Sequence, residues 1–212
     1  MGAIVVFGAG GRAGRRAVAE ARARGHEVTA VVRDPARYGG PADGSVRVVA
    51  GDAADTASVA AVVPGHDAVV SAAAVYREGT RPDVFFPASA HALLAGARGA
   101  GVGRLVVVGL SALLPDAAGV PLLSAIPEEH RPFCRAHGAG LEVLRSAGGD
   151  VDWLYVSPAG DFDHEGGRGG TYRVVAAGDM ATRISYQDFA VALLDEVESP
   201  AHHRMHLAVT AG

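Results

Sequence analysis

The segment Val5-Val6-Phe7-Gly8-Ala9-Gly10-Gly11-Arg12-Ala13-Gly14 constrains this chain more than any other. An apolar run ends in glycines spaced Gly8-x-x-Gly11-x-x-Gly14, and an Ala/Arg-rich helical pattern extends from Arg15 to Arg24. The order is strand, tight turn, helix. Side chains in such a turn would keep a phosphate away from the backbone, while the helix N-terminus behind it offers free N–H groups and about half a positive charge. Another apolar run, Glu27 to Val32, completes a strand–helix–strand unit, the context that distinguishes a dinucleotide-binding turn from an ordinary glycine-rich one. The spacing predicts a pyrophosphate seat built from Gly8, Gly10, Gly11, Arg12, Ala13 and Gly14.

Arg33-Asp34-Pro35 follows the second predicted strand directly. In a dinucleotide fold this point faces the adenosine ribose, where an acid bonds the 2′-hydroxyl and an arginine pairs with a 2′-phosphate. Arg33 comes first, which favours NADP(H) over NAD(H), with Arg12 as a second phosphate contact. If Asp34 pointed inward and Arg33 outward, the preference would reverse, and the sequence leaves that rotation open. Ser45 to Val49 reads as a third strand, and Gly51-Asp52 after it either meets adenine or simply turns the chain. Asp55 is positioned to cap a helix from Thr56 to Val63, and Asp67 to Ser71 is a fourth strand. Ser71, Ala72 and Ala73 at its end, and the irregular stretch onward through Tyr76, Arg77 and Glu78 to Pro82, are expected over the nicotinamide half, because ligands bind beyond the carboxyl ends of parallel strands.

The alternation continues with a helix from Asp83 to Gly101 and a fifth strand from Arg104 to Val108, then Gly109-Leu110-Ser111. Ala112 to Pro127 is proline-punctuated loop with a short helical turn at most. Beyond it lie a helix from Pro132 to about Ala147, a sixth strand from Val151 to Val156, a flexible acidic loop from Gly160 to Gly170 and a short strand from Thr171 to Val175. Ile184 onward reads as the start of a helix with Ser185 and Asp188 in capping-box-like spacing, and Arg204 to Val209 as a last strand. Together these predict one α/β domain spanning residues 1–212, with a doubly wound parallel sheet. The 19 basic and 23 acidic residues give a formal net charge of −4 and contain no long basic run, so neither nucleic acid nor a membrane surface is an expected partner. No apolar stretch approaches the roughly 18 residues that span a bilayer. One cysteine, Cys134, excludes an internal disulfide framework and a cysteine zinc cluster. The expectation is a cytoplasmic monomer or homodimer acting on a small molecule, without a metal.

Taken together, Gly8-x-x-Gly11-x-x-Gly14, Val32-Arg33-Asp34-Pro35, Gly51-Asp52, Arg104-Leu105-Val106-Val107-Val108-Gly109, Trp153-Leu154-Tyr155-Val156-Ser157-Pro158 and Arg183-Ile184-Ser185 leading into Asp188-Phe189-Ala190 resemble an atypical short-chain dehydrogenase/reductase. The group is the NAD(P)H-binding, NmrA-like one that includes biliverdin reductase B and flavin reductase-type proteins. The resemblance covers nearly the whole chain and rests on the order and spacing of motifs, none of which is specific alone. It implies an NADPH-binding Rossmann domain with a small C-terminal substrate cap, from elements near 112–130 and 157–184. It also implies a serine close to the nicotinamide after the fifth strand, for which Ser111 is the nearest match. Relatives carry a Gly-Gly-Ala-Gly-Ser-like turn there, whereas this chain has Gly109-Leu110-Ser111-Ala112-Leu113-Leu114.

Carbonyl reductases of the larger superfamily use a tyrosine acid whose pKa is lowered by a lysine four residues later, and this chain contains no lysine. Where relatives often place a tyrosine at the start of the sixth helix, Glu129-His130-Arg131 aligns, so His130 becomes the candidate proton donor. His130, Cys134 and His137 recur at a spacing that puts them on one helix face, although three such residues on a single helix rarely close a metal shell. Tyr76, His137 and Asp161 are candidate substrate contacts, Tyr155 is expected in the core of its strand, and His202, His203 and His206 at the surface. The function these residues support is NADPH-dependent reduction of a small aromatic or conjugated carbonyl, quinone, enone or flavin-like substrate. The alternatives are a redox-sensing dinucleotide-binding protein without turnover, and a redox-neutral isomerase, cyclase or dehydratase on the same scaffold.

Overall fold

A computed structural model describes residues 1–40, 44–76 and 78–212; Arg77, named above, lies outside the described residues. Eight strands form one sheet in the order β3-β2-β1-β4-β5-β6-β10-β8. They are β1 (Ala3–Phe7), β2 (Glu27–Val32), β3 (Val46–Ala50), β4 (Ala68–Ser71), β5 (Arg104–Val108), β6 (Asp152–Pro158), β8 (Tyr172–Val175) and β10 (Met205–Ala211). All neighbours are parallel except β8 against β10. The doubly wound arrangement expected from the alternating pattern is therefore present. A separate two-stranded parallel ladder joins β7 (Asp161–Asp163) to β9 (Arg183–Ser185).

The strands carry apolar residues on both faces, and their period of two divides the core in two. Ile4 and Val6 point to one layer, covered by α1 (Arg12–Ala23) and α5 (Tyr186–Glu198). Val5 and Phe7 point to the other, covered by α2 (Thr56–Val62), α3 (Pro82–Ala100) and α4 (Arg131–Ala147). Local chemistry sets the helix ends. The Asp55 carboxylate accepts from the N–H groups of Ala57 and Ser58 to cap α2, and the Ser185 hydroxyl accepts from Asp188 N–H to cap α5. Gly101, at φ 69°, closes α3 in the left-handed conformation that glycine adopts without a Cβ penalty.

Two expectations are corrected. The stretch from Gly160 to Gly170 is not loop throughout, because residues 161–163 pair with 183–185; this also places Ile184 and Ser185 in a strand, with the helix starting at Tyr186. The stretch from Ala112 to Pro127 is, as expected, loop with short helical turns, of 3-10 type at Ser111–Leu113 and Leu122–Ala125, and a third lies at Glu128–His130 just beyond. Leu114 and Leu122 from this segment pack on Ala159 and Ala208, which are too small to announce a third cluster in the sequence. Among the described residues, no helix is long and apolar enough to cross a membrane.

Candidate functional site

The chain runs β1, β2, β3 outward to one edge and then returns to place β4 on the other side of β1, so the strand order reverses between β1 and β4. Helices on the two sides of such a reversal diverge, leaving a crevice at the carboxyl ends of the strands. The glycine turn sits at that crevice. Gly8 has φ 73°, and a Cβ there would lie 2.5 Å from the Ala73 nitrogen and 2.6 Å from the Ala72 carbonyl carbon. Gly11 N–H donates to the Gly8 carbonyl at 2.9 Å, and a Cβ on Gly14 would collide with that same oxygen. The first and third glycines thus allow the turn to pack against the end of β4 and the helix to pack against the turn. Gly10, Gly11 and Arg12 are exposed and Ala13 is half-buried.

The start of α1 has neither an acidic residue in its first turn nor a side-chain cap, so its first N–H groups and the positive end of its dipole are open to an anion. A phosphate fits these residues: the glycines provide the close approach and nothing negative competes for the helix end. The Arg12 guanidinium lies 2.7 Å from His164 Nδ1, on the segment following β7. That segment is also tied along α1 by Arg168, whose Nε and Nη2 each donate to the Glu20 carboxylate at 2.9 Å. The Arg168 bonds foremost, with that of Arg24, hold the Glu20 carboxyl below its usual pKa against the effect of burial.

Arg33 is exposed past the end of β2, with no hydrogen bond or ion pair among the described residues. Asp34 turns its carboxylate onto its own backbone, accepting from Ala36 N–H at 3.1 Å. Asp52 does likewise, accepting from Ala54 N–H at 2.9 Å, while its own N–H donates to Ser58 Oγ. At the end of β4, Ser71 is buried and Ala72 and Ala73 half-buried, with Ala72 N–H donating to the Phe7 carbonyl across the β1–β4 junction. The structure thus gathers the turn, Ser71, Ala72 and Ala73 at one crevice, with Arg33 beyond the end of the neighbouring strand.

The residues proposed for chemistry are more dispersed. Ser111 opens the 3-10 turn after β5, is buried, and directs its hydroxyl toward Met180 Sδ at 4.0 Å. His130 is exposed at the last position before α4. Cys134 and His137 are buried within α4, so the three do not form a common exposed face. Burial pushes the Cys134 thiol up in pKa, away from the thiolate form that reacts. Asp161 is exposed and accepts from Phe162 N–H. Among the described residues, no group of three His, Cys, Asp or Glu side chains is placed to hold a metal.

Tyr76 is 77% exposed and stands edge-on to Phe133, with centroids 6.3 Å apart. Phe133 in turn contacts Phe86 and His137. His137 is 7% exposed, lies against the Phe86 ring at 3.8 Å, and bonds the Tyr155 hydroxyl through Nδ1 at 2.5 Å. Burial, with a smaller contribution from nearby His206, lowers its pKa to about 3, so the ring is neutral near pH 7. Burial also raises the Tyr155 pKa above its ordinary value. His206 is not a surface residue as expected: it bonds Ser157 Oγ at 2.7 Å, and burial lowers its pKa to about 4. The spacing of Cys134, His137, Leu141 and Leu144 along α4 signals the buried position of His137, whereas the partnership with Tyr155 joins residues 18 apart and has no local signature.

A family model described as NAD(P)H-binding matches residues 8–200, from the first glycine of the turn to the end of α5. The chain belongs to this NAD(P)H-binding family. The match spans the crevice and the elements around it, in agreement with the resemblance drawn from the motifs. The uncharacterised protein YwnB of Bacillus subtilis is 34% identical, with 98% of each chain covered. A Bacteroides thetaiotaomicron structure described as a candidate epimerase is 30% identical, with a TM-score of 0.83 and 99% and 96% of the two chains covered. A Streptococcus pneumoniae structure described as a candidate NADH-flavin reductase is 29% identical, with a TM-score of 0.83 and all of both chains covered.

Proposed function

We propose that this protein is an NADP(H)-dependent oxidoreductase that reduces a small, planar, conjugated substrate such as a quinone, enone, aromatic carbonyl or flavin. The observation that carries the cofactor choice is the division of labour at the end of β2: Arg33 has no partner among the described residues, while Asp34 is occupied in capping its own turn. A guanidinium fork matches a 2′-phosphate, and a carboxylate already bonded to backbone is a poor acceptor for a ribose hydroxyl. The dinucleotide supplies hydride when bound; the chain supplies placement. Gly8, Gly11 and Gly14 admit the phosphates, Ser71, Ala72 and Ala73 border the nicotinamide half, and Asp52 lies past β3 on the adenine side, its carboxylate bonded to its own turn.

Substrate choice follows from Tyr76, an exposed ring beyond β4 that offers a stacking surface for a planar molecule, with Phe133 beneath it. Ser111 orients a substrate oxygen, and His130 or water returns the proton, so much of the acceleration comes from holding the two reactants together. The segments near 112–130 and 157–184 form the cap, Asp161 lies on it, and the protein works as a monomer or homodimer in the cytoplasm. The pneumococcal relative, described as a candidate flavin reductase, supports the reductase reading. The Bacteroides relative, described as a candidate epimerase, supports a redox-neutral reaction as the second reading.

The test is consumption of reduced nicotinamide, followed by its absorbance, over a panel of quinones, enones and flavins with wild type and Arg33→Ala. Wild type is expected to oxidise NADPH in preference to NADH, and Arg33→Ala to raise the KM for NADPH about tenfold or more while leaving that for NADH unchanged. Equal use of both cofactors by the two proteins removes Arg33 from the site. Conversion of substrate without net NADPH consumption favours the redox-neutral reading.

A further inference from the structure

A cavity of about 20 Å³ opens between the ends of β4 and β5 and the facing sides of α3 and α4, lined by Ser71, Ala73, Phe86, Val108, His137 and Tyr155. It holds a water molecule or a single hydroxyl, not a ring. Ala73, one of its walls, is also the residue against which Gly8 packs, so the cavity adjoins the dinucleotide crevice. His137 is the informative lining residue. Its Nδ1 is occupied by the Tyr155 hydroxyl, while its Nε2 has no hydrogen-bond partner among the described residues. Among the described residues, the buried polar atoms sealed away without a partner are Tyr38 Oη and Asp152 Oδ1, so Nε2 keeps accessible surface, on a ring that lines the cavity.

The tautomer follows from counting donors. The Tyr155 hydroxyl makes no other hydrogen bond among the described residues, so its proton has one acceptor within reach, His137 Nδ1. The reverse arrangement would bury the phenolic proton unbonded, at a cost of about 1–3 kcal/mol. With Nδ1 accepting, the neutral ring carries its proton on Nε2. Packing against Phe86 and Phe133 fixes the ring plane, so the donor direction is set before any ligand arrives.

We propose that Tyr155 and His137 form a positioning pair for the nicotinamide half of the dinucleotide: Tyr155 fixes the tautomer, and His137 Nε2–H donates to a ribose hydroxyl or carboxamide oxygen, directly or through one water in the cavity. No bond is made or broken. The pair takes the place of a cationic anchor in a chain without lysine, and it works as a neutral donor because burial keeps the ring uncharged. The proposal rests on the dinucleotide reading above.

Calorimetric titrations with NADPH and with adenosine 2′,5′-bisphosphate, which lacks the nicotinamide half, separate the two. His137→Gln keeps a donor at the Nε2 position and loses Nδ1; His137→Asn does the opposite; Tyr155→Phe keeps the ring and removes the hydroxyl. Asn at 137 and Phe at 155 are expected to weaken NADPH binding about tenfold and Gln at 137 less than threefold, with the bisphosphate unaffected throughout. If Asn retains NADPH affinity and Gln loses it, His137 serves only to pack against Tyr155 and the proposal is overturned. Unchanged affinities in all variants, or equal losses for both ligands, overturn it as well. Wild type that binds neither ligand overturns the dinucleotide reading and this proposal together; wild type that binds both while the variants behave wrongly overturns this one alone.

Discussion

At the scale of single residues, desolvation holds His137 and His206 neutral near pH 7. Their folded-state pKa values, about 3 and about 4, lie below the ordinary 6.5, so between those limits the unfolded chain binds more protons than the folded one. Stability from these groups is complete above about pH 6.5 and is lost as pH falls toward 4, with a slope of up to about 1.4 kcal/mol per pH unit for each. Urea unfolding is expected to give a lower midpoint at pH 5 than at pH 7, and His206→Gln a shallower dependence; identical midpoints at both pH values would show that the rings are not held neutral. Residues whose role is local were readable from the sequence, including Gly8, Gly14, Asp55 and Ser185, because each acts on backbone within a few positions or on a turn that the motif itself defines. His206 was not, since its burial depends on a strand order that brings Ser157 of β6 alongside β10.

At the scale of elements, strands bounded by glycine or charge were legible almost to the residue: Glu27–Val32 and Arg104–Val108 coincide with β2 and β5. The pairing of β7 with β9 was not, because a three-residue ladder in acidic sequence carries no hydrophobic alternation. Nor was the closeness of α3 and α4, which rests on one small residue. A Cβ on Gly140 would lie 2.9 Å from the Phe86 carbonyl oxygen, inside van der Waals contact. Gly140→Ala is expected to push the two helices apart and cost about 1–3 kcal/mol in chemical unfolding, despite the better helix propensity of alanine. A neutral or stabilising effect would mean that the helices have slack at this crossing, and the cavity walls formed by Phe86 and His137 would then be less fixed than described.

At the scale of the whole molecule, the reversal of strand order between β1 and β4 turns scattered motifs into one crevice. The glycine turn and the end of β4 meet there because parallel strands all end on the same side of the sheet. The alternation of strands and helices made this much legible. What the segment after β7 contributes was less so, since its contacts with the glycine turn and α1, Arg12 with His164 and Glu20 with Arg168, join residues about 150 positions apart. The proposed function requires that this crevice hold a dinucleotide by its phosphates against backbone. Calorimetric titration of NADPH into the wild-type protein and into Gly14→Ala is the decisive measurement. Wild type is expected to saturate at one site per chain, and a folded Gly14→Ala, whose Cβ displaces the turn, to show no measurable binding. Folded wild type that takes up no NADPH, or a Gly14→Ala variant that binds it equally well, would overturn the phosphate-binding role of the turn.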